Sequence, residues 1–178
     1  LRALYRASIY GNLRIMFPLI TSVSQVEQCL NLIQKIKKEL QSEKIDFKDD
    51  VPIGIMIETA AAAIISDCFV NISDFFSLGT NDLTQYTLAV DRGNENISRL
   101  YNTYNPCVLE AIRLAIKGAH EAGITISMCG EFAGDENAPR DTESAELWEK
   151  CGMPKDKIFF LPKKNNWWGI EGGGPCGP

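Results

Sequence analysis

Residues 51–82 read VPIGIMIETAAAAIISDCFVNISDFFSLGTND, and their punctuation sets the architecture. Residues 51–58 are an almost unbroken apolar run closed by Glu58. Residues 59–70 form a stretch of helical composition. Residues 74–78 are a second apolar run, followed at once by Gly79-Thr80-Asn81-Asp82. Strands of a sheet with one wet face alternate polar and apolar residues, whereas near-continuous apolar strands belong to parallel sheets covered on both faces. A strand, a helix and a strand in that order therefore predict a right-handed parallel crossover.

The same alternation extends in both directions. Residues 13–20 (LRIMFPLI) are a further apolar run, with Pro18 opening its exit loop. Ser24-Gln25-Val26-Glu27 matches a capping box, in which a hydroxyl and a carboxylate satisfy open amides at a helix start. Val23, Val26, Leu30, Ile33 and Leu40 then recur at helical spacing, predicting an amphipathic helix to about Gln41. Residues 46–50 read as an exposed acidic connection. Downstream, residues 86–90 predict a short helical turn. Pro106 suits the first turn of a helix that carries Leu109, Ile112, Ile116 and Ala119 inward and stops at Gly123. Residues 124–129 (ITISMC) give a fourth strand. The repeated β/α order predicts an α/β domain.

Composition bounds the rest. The chain has 178 residues and a net charge of −5, which argues against a large basic face for nucleic acid. No apolar run reaches the roughly 18–20 residues that cross a bilayer, so no membrane segment is expected. The opening Leu1 is expected to lie inside a longer reading frame. Six cysteines without a C-x-x-C pair, and one histidine, offer few zinc ligands. Reduced thiols in the cytoplasm are expected, with Cys29, Cys68 and Cys107 as small core residues. Composition changes near Ala138: residues 1–138 hold 8 Gly and 3 Pro, and residues 139–178 hold 6 Gly, 5 Pro and all three Trp. Two unlike segments meet there.

Each strand of interest ends in a reactive group: Glu58, then Asn81 and Asp82, then Cys129. Parallel strands present their C-terminal ends at one edge, where α/β active sites form. These residues are therefore expected to converge. Glu58 and Asp82 are hard oxygen donors of the kind that hold Mg2+ with substrate oxygens and water; either also suits the N-terminus of a helix. Arg92 can clamp a phosphate, or pair at the surface with Asp91 or Glu95. Asn81 can donate to a ligand or serve a turn. A thiol at the Cys129 strand end could act as acid, base or nucleophile. His120, one turn before Gly123, is expected to be exposed and uninvolved.

Residues 74–92 (DFFSLGTNDLTQYTLAVDR) closely resemble the second signature of the phosphoenolpyruvate-utilising enzymes, and within them the phosphoenolpyruvate–protein phosphotransferases of bacterial sugar uptake. LRIMFPLI (13–20), GIMIET (54–59) and MCGEFAGDE (128–136) are similar to other blocks of that family, in the same order. The resemblance implies Mg2+ ligation by Glu58 and Asp82. It implies phosphoenolpyruvate binding by Asn81, the Asp82 backbone and Arg92, and proton donation by Cys129. It also implies a dimer, and a phosphoryl group passed to a histidine on another domain and on to a phosphocarrier protein. Pyruvate phosphate dikinase and phosphoenolpyruvate synthase share the Asn-Asp signature and stand as alternatives.

The family domain is a (β/α)8 barrel, of which residues 1–138 would supply about four units. The expectation is a partial barrel: an open parallel sheet with two bare edges and an apolar inner face, holding half a site and no turnover. Its exposed surface suggests a rival reading as a non-catalytic dimerising module. Ala60 replaces a proline common after the Glu-Thr pair, which predicts a looser loop beside Glu58. Residues 139–178 resemble part of alanyl-tRNA synthetase in their NNWW and GPCGP strings. They are expected to be mostly loop, with at most one helix at 144–149. The whole reads as a chimera of two fragments.

Overall fold

The computed structural model describes residues 1–130 together with Glu149, Pro154 and Lys155. Apart from these three residues, of which Glu149 is helical, the expectations for the helix at 144–149 and for the rest of the tail lie outside the described residues. Among the described residues four strands form one sheet: β1 (Ile15–Phe17), β2 (Ile53–Ile57), β3 (Phe75–Gly79) and β4 (Thr125–Cys129). They pair in sequence order and all in parallel. Within residues 1–130 five α-helices accompany them: α1 (Arg2–Ala7), α2 (Val23–Ser42), α3 (Ala60–Ile64), α4 (Thr80–Leu88) and α5 (Pro106–Ala122). Consecutive parallel neighbours joined by helices are the build of a (β/α) barrel opened to part of its circumference.

Side-chain alternation gives the sheet two unlike faces. Ile55 and Ile57 of β2 and Phe76 and Leu78 of β3 are fully buried against Ala62 and Ala63 of α3, Leu83 of α4 and Val108, Ile112 and Ile116 of α5. A second cluster joins Ile15 and Ile53 to Ile33, Ile36 and Leu40 of α2 and to Tyr5 of α1. The other face carries Met16, Gly54, Met56, Phe75, Ser77, Ser127 and Cys129, none of which belongs to either cluster. An apolar inner face was expected. The face is instead mixed, with small and polar residues among the methionines and Phe75, because Gly54 of β2, Ser77 of β3 and Ser127 and Cys129 of β4 occupy the alternate positions.

Four local expectations need correction. The capping box at α2 is Ser22 with Gln25, not Ser24 with Glu27: Gln25 Oε1 accepts from the Ser22 N–H at 3.2 Å. The helical stretch 59–70 is broken, with α3 ending at Ile64 and a 3-10 turn over Ser66–Phe69. Ser66 Oγ donates to the Leu114 carbonyl of α5 at 3.2 Å, so the turn docks on a neighbour rather than continuing the helix. The helix expected at 86–90 is α4, which starts at Thr80, so Thr80, Asn81 and Asp82 form its first turn. Finally, Cys29 is half-buried and Cys68 and Cys107 are exposed, so none is a core residue. Cys107 sits in the first turn of α5, beside the Asn105 cap.

Candidate active site at the C-terminal edge of the sheet

The parallel register brings the strand ends level. Gly79 pairs with Cys129, and Ile57 with Leu78 one step earlier. Glu58 follows β2 directly and is 3 % exposed. Its carboxylate lies across Gly79, where a Cβ would stand 2.8 Å from Oε2. Only a residue without a side chain fits under that carboxylate, which gives the Gly79 of the quoted stretch a physical reason. Oε1 accepts the Leu19 N–H at 2.6 Å. Burial pushes the Glu58 carboxyl above the usual carboxylate range; the Leu19 amide opposes this, and the charge and hydrogen bonding of Asp82 add to it.

Asp82 enters from the first turn of α4, where a carboxylate also suits the helix dipole. Of the two meanings open to it in the sequence, the helix N-terminal one is observed. Its Oδ1 lies 3.4 Å from a guanidinium nitrogen of Arg92, and both side chains are partly exposed. Arg92 pairs with Asp82 rather than with Asp91 or Glu95, and its own N–H donates to Gln85 Oε1 at 3.1 Å. Asn81 is anchored through its carbonyl, which accepts the Tyr101 hydroxyl at 3.0 Å. Tyr101 carries no signal in the sequence that would have placed it here.

Cys129 ends β4, half-buried, with Sγ 3.3 Å from the Leu78 carbonyl and 3.9 Å from Ser77 Oγ. Burial pushes its thiol up; the Ser77 hydroxyl draws it back, and the charges of Glu58 and Asp82 raise it further. A thiol so placed stays protonated at neutral pH and is suited to give a proton, not to attack as a thiolate. Thr80 Oγ1 donates to the Cys129 carbonyl at 3.0 Å, fastening the end of β4 to the start of α4. Glu58, Asn81, Asp82 and Cys129 thus gather at one edge, with Arg92 attached through Asp82. His120 is exposed on the last turn of α5, away from them in the sequence of elements.

Beside Glu58, Ala60 opens a capped helix. Thr59 caps α3 by accepting the Ala62 N–H at 3.1 Å, and Ala60 is simply its first helical residue. Among the described residues, no group of three or more His, Cys, Asp or Glu side chains is placed to hold a metal ion. The Glu58–Asp82 pair on its own is two adjacent carboxylates, one of them desolvated. A divalent cation completed by ligand oxygens and water fits that donor set.

The raised Glu58 carboxyl gives a first expected result. A carboxyl whose value is higher folded than unfolded contributes stability that is fully present below the unfolded value and is lost as pH rises through the folded one. Metal-free protein is therefore expected to lose stability as pH climbs out of the carboxylate range toward neutrality. Glu58→Gln is expected to flatten that limb and raise the neutral-pH melting temperature. Thermal unfolding in chelator across pH checks this, and an unchanged slope in the variant would contradict it.

The family model described as "PEP-utilising enzyme, PEP-binding domain" matches residues 1–146. The chain belongs to this family. Its match runs past Ala138. Proteins named phosphoenolpyruvate-protein phosphotransferase align over 138 residues, 78 % of this chain: that of Priestia megaterium at 50 % identity, that of Buchnera aphidicola at 52 % and that of Bacillus subtilis at 49 %. The chain spans about a quarter, 24 %, of the length of each of these relatives. Two solved structures share the fold of the PEP-binding domain. A citrate lyase from Burkholderia xenovorans LB400 superposes with a TM-score of 0.57 at 18 % identity, over 81 % of this chain and 42 % of that one. An HpcH/Hpal aldolase/citrate lyase family protein from Burkholderia cenocepacia J2315 gives 0.56 at 13 % identity, over 85 % and 60 %. At such identities the likeness concerns the fold, and it accords with a partial (β/α)8 barrel. No helix among the described residues is long and apolar enough to cross a membrane.

Proposed function

We propose that this chain supplies part of the phosphoenolpyruvate site of a cytoplasmic phosphoenolpyruvate–protein phosphotransferase. In this reading Glu58 and Asp82 hold Mg2+, and Asn81, the Asp82 backbone and Arg92 hold the substrate. Cys129 is the proton donor. The observation that carries the reading is the gathering of Glu58, Asp82 and Cys129 at one sheet edge, in a chain of the PEP-binding family.

The residues have separable tasks. Bound Mg2+ supplies charge neutralisation at the phosphoryl oxygens. Arg92 leaves its partly exposed pair with Asp82, worth about 0–1 kcal/mol, for a phosphoryl oxygen pair that it can grip with two donors. As the phosphorus–oxygen bond breaks, the phosphoryl group goes to the histidine of another domain, and the bond electrons stay on the enolate of pyruvate. The enolate carbon takes the proton from Cys129 Sγ, leaving a thiolate that solvent reprotonates. Burial keeps that thiol protonated before the step. The histidine domain, the phosphocarrier protein and a dimeric partner belong to the longer enzyme. On sequence grounds we take residues 1–138 as the partial barrel domain and residues 139–178 as a synthetase-like stretch, with the family match continuing to residue 146.

Calorimetric titration of the full chain with phosphoenolpyruvate in Mg2+ tests the proposal. Binding is expected to need the cation. Arg92→Ala is expected to weaken it about 10–100-fold, the scale of a hydrogen bond to a charged group. Binding that ignores both the cation and Arg92 would sink the assignment.

A further inference from the structure

Glu58 is held from the loop that follows β1, one strand away. The donor to its Oε1 is the Leu19 amide, and Leu19 stands at φ 53°. This left-handed conformation costs an ordinary L-residue about 1–2 kcal/mol. Such residues persist where their surroundings over-determine them. The Leu19 side chain is 52 % exposed, so its own packing does not hold it. Hydrogen bonds before and after it in the chain do, the second one residue removed. On one side Leu19 N–H meets Glu58. On the other, Thr59 Oγ1 donates to the Ile20 carbonyl at 2.7 Å, and Ile20 is buried in the main core. The Thr59 oxygen already accepts the Ala62 N–H, so its single proton is directed to Ile20.

The geometry points to Thr59 as a positioning residue for the Glu58 carboxylate. Its hydroxyl fixes the Ile20 carbonyl and, with the Ile20 side chain held in the core, restricts the backbone that carries the twist at Leu19. The Leu19 amide then takes Oε1, and Oε2 is left over Gly79 on the side of the site. Glu58 and Thr59 are adjacent in sequence, so one strand end supplies both the carboxylate and the clasp for its donor. The inference rests on reading Glu58 as a cation ligand. Groups that orient a ligand in this way change metal affinity about 10–100-fold when removed.

Two measurements on the full chain keep the two ideas apart. The first is amide exchange of Leu19 by NMR, which needs no metal. Protection is expected in the wild type and in Thr59→Ser, with exchange about 10-fold or more faster in Thr59→Val. Thr59→Asp keeps an acceptor for the α3 cap but has no proton for Ile20, and is expected to expose Leu19 as well. It serves where the valine variant fails to fold. A Leu19 amide as protected in these variants as in the wild type overturns the positioning role. The second measurement is Mn2+ affinity by calorimetry. It is expected to fall about 10-fold in Thr59→Val and to return in Thr59→Ser. Mn2+ affinity unaltered by Glu58→Gln overturns the cation reading, while the exchange result still decides Thr59. Loss in Glu58→Gln without loss in Thr59→Val overturns the positioning role alone.

Discussion

Replacing Phe76 with alanine is expected to cost about 3–5 kcal/mol, the usual range for deleting a fully buried aromatic side chain. Phe76 is 0 % exposed and lies in β3 between Ile55 of β2 and Ile126 of β4. It belongs to the cluster that also holds Leu78, Val108, Ile112 and Ile116. In that cluster β2, β3 and the three helices behind them meet. A cavity there has backbone ladders on both sides that cannot collapse inward, so little of the loss can be recovered by relaxation. Domains are commonly stable by only about 5–15 kcal/mol, so the variant should sit near its unfolding midpoint without denaturant. Met16 is the matching control: it lies on edge strand β1, on the opposite face, and is 38 % exposed. Met16→Ala is expected to cost less than about 1 kcal/mol. Urea unfolding followed by circular dichroism compares the two. Equal midpoints would mean that the core does not lie behind the sheet as described.

The contrast between Phe76 and Met16 also marks what the sequence makes legible. The apolar runs at β2 and β3 announce buried parallel strands because both neighbours of each strand are supplied within the chain. Periodicity finds α2 and α5 because their buried residues are strong hydrophobes: Val26, Ile33, Ile36 and Leu40 in one, Val108, Ile112 and Ile116 in the other. It misses the start of α4 because two of its three buried residues are Thr80 and Thr84. The break in the 59–70 stretch depends on Ser66 reaching Leu114, 48 residues away, and nothing local encodes it.

The candidate site divides in the same way. Glu58, Asp82 and Cys129 are legible because parallel topology sends strand ends to one edge, whatever the family. The groups that aim them are not. Leu19 lacks the glycine or asparagine that usually signals a left-handed residue, and its role comes from a backbone amide that every residue except proline possesses. Tyr101 and Thr59 act through carbonyls of distant segments. Side-chain chemistry can be read one residue at a time, whereas backbone donors acquire meaning only when the loops are in place.

Gly130 joins both halves of that argument. It stands at φ 116°, and a Cβ there would lie 2.2 Å from Thr80 Oγ1 and 3.1 Å from Asn81 Oδ1. Thr80 is 0 % exposed and is engaged with the Cys129 carbonyl, so it has no room to swing aside. In Gly130→Ala the chain itself must move. Backbone strain of about 1–2 kcal/mol and overpacking of about 1–3 kcal/mol then add, for an expected loss of about 2–5 kcal/mol. Gly123 separates the two terms. It also has positive φ, at 70°, but a Cβ there would meet nothing within 4 Å. Gly123→Ala is therefore expected to show the strain alone, about 1–2 kcal/mol. The displacement in Gly130→Ala runs straight into Cys129, whose carbonyl would lose Thr80 and whose thiol would leave the Leu78 carbonyl and Ser77. Alkylation of Cys129 under native conditions is accordingly expected to speed up in Gly130→Ala and to stay unchanged in Gly123→Ala. Equal destabilisation of the two variants, or a Cys129 that reacts at the wild-type rate in both, would show that the thiol is not held by the junction of β4 with α4.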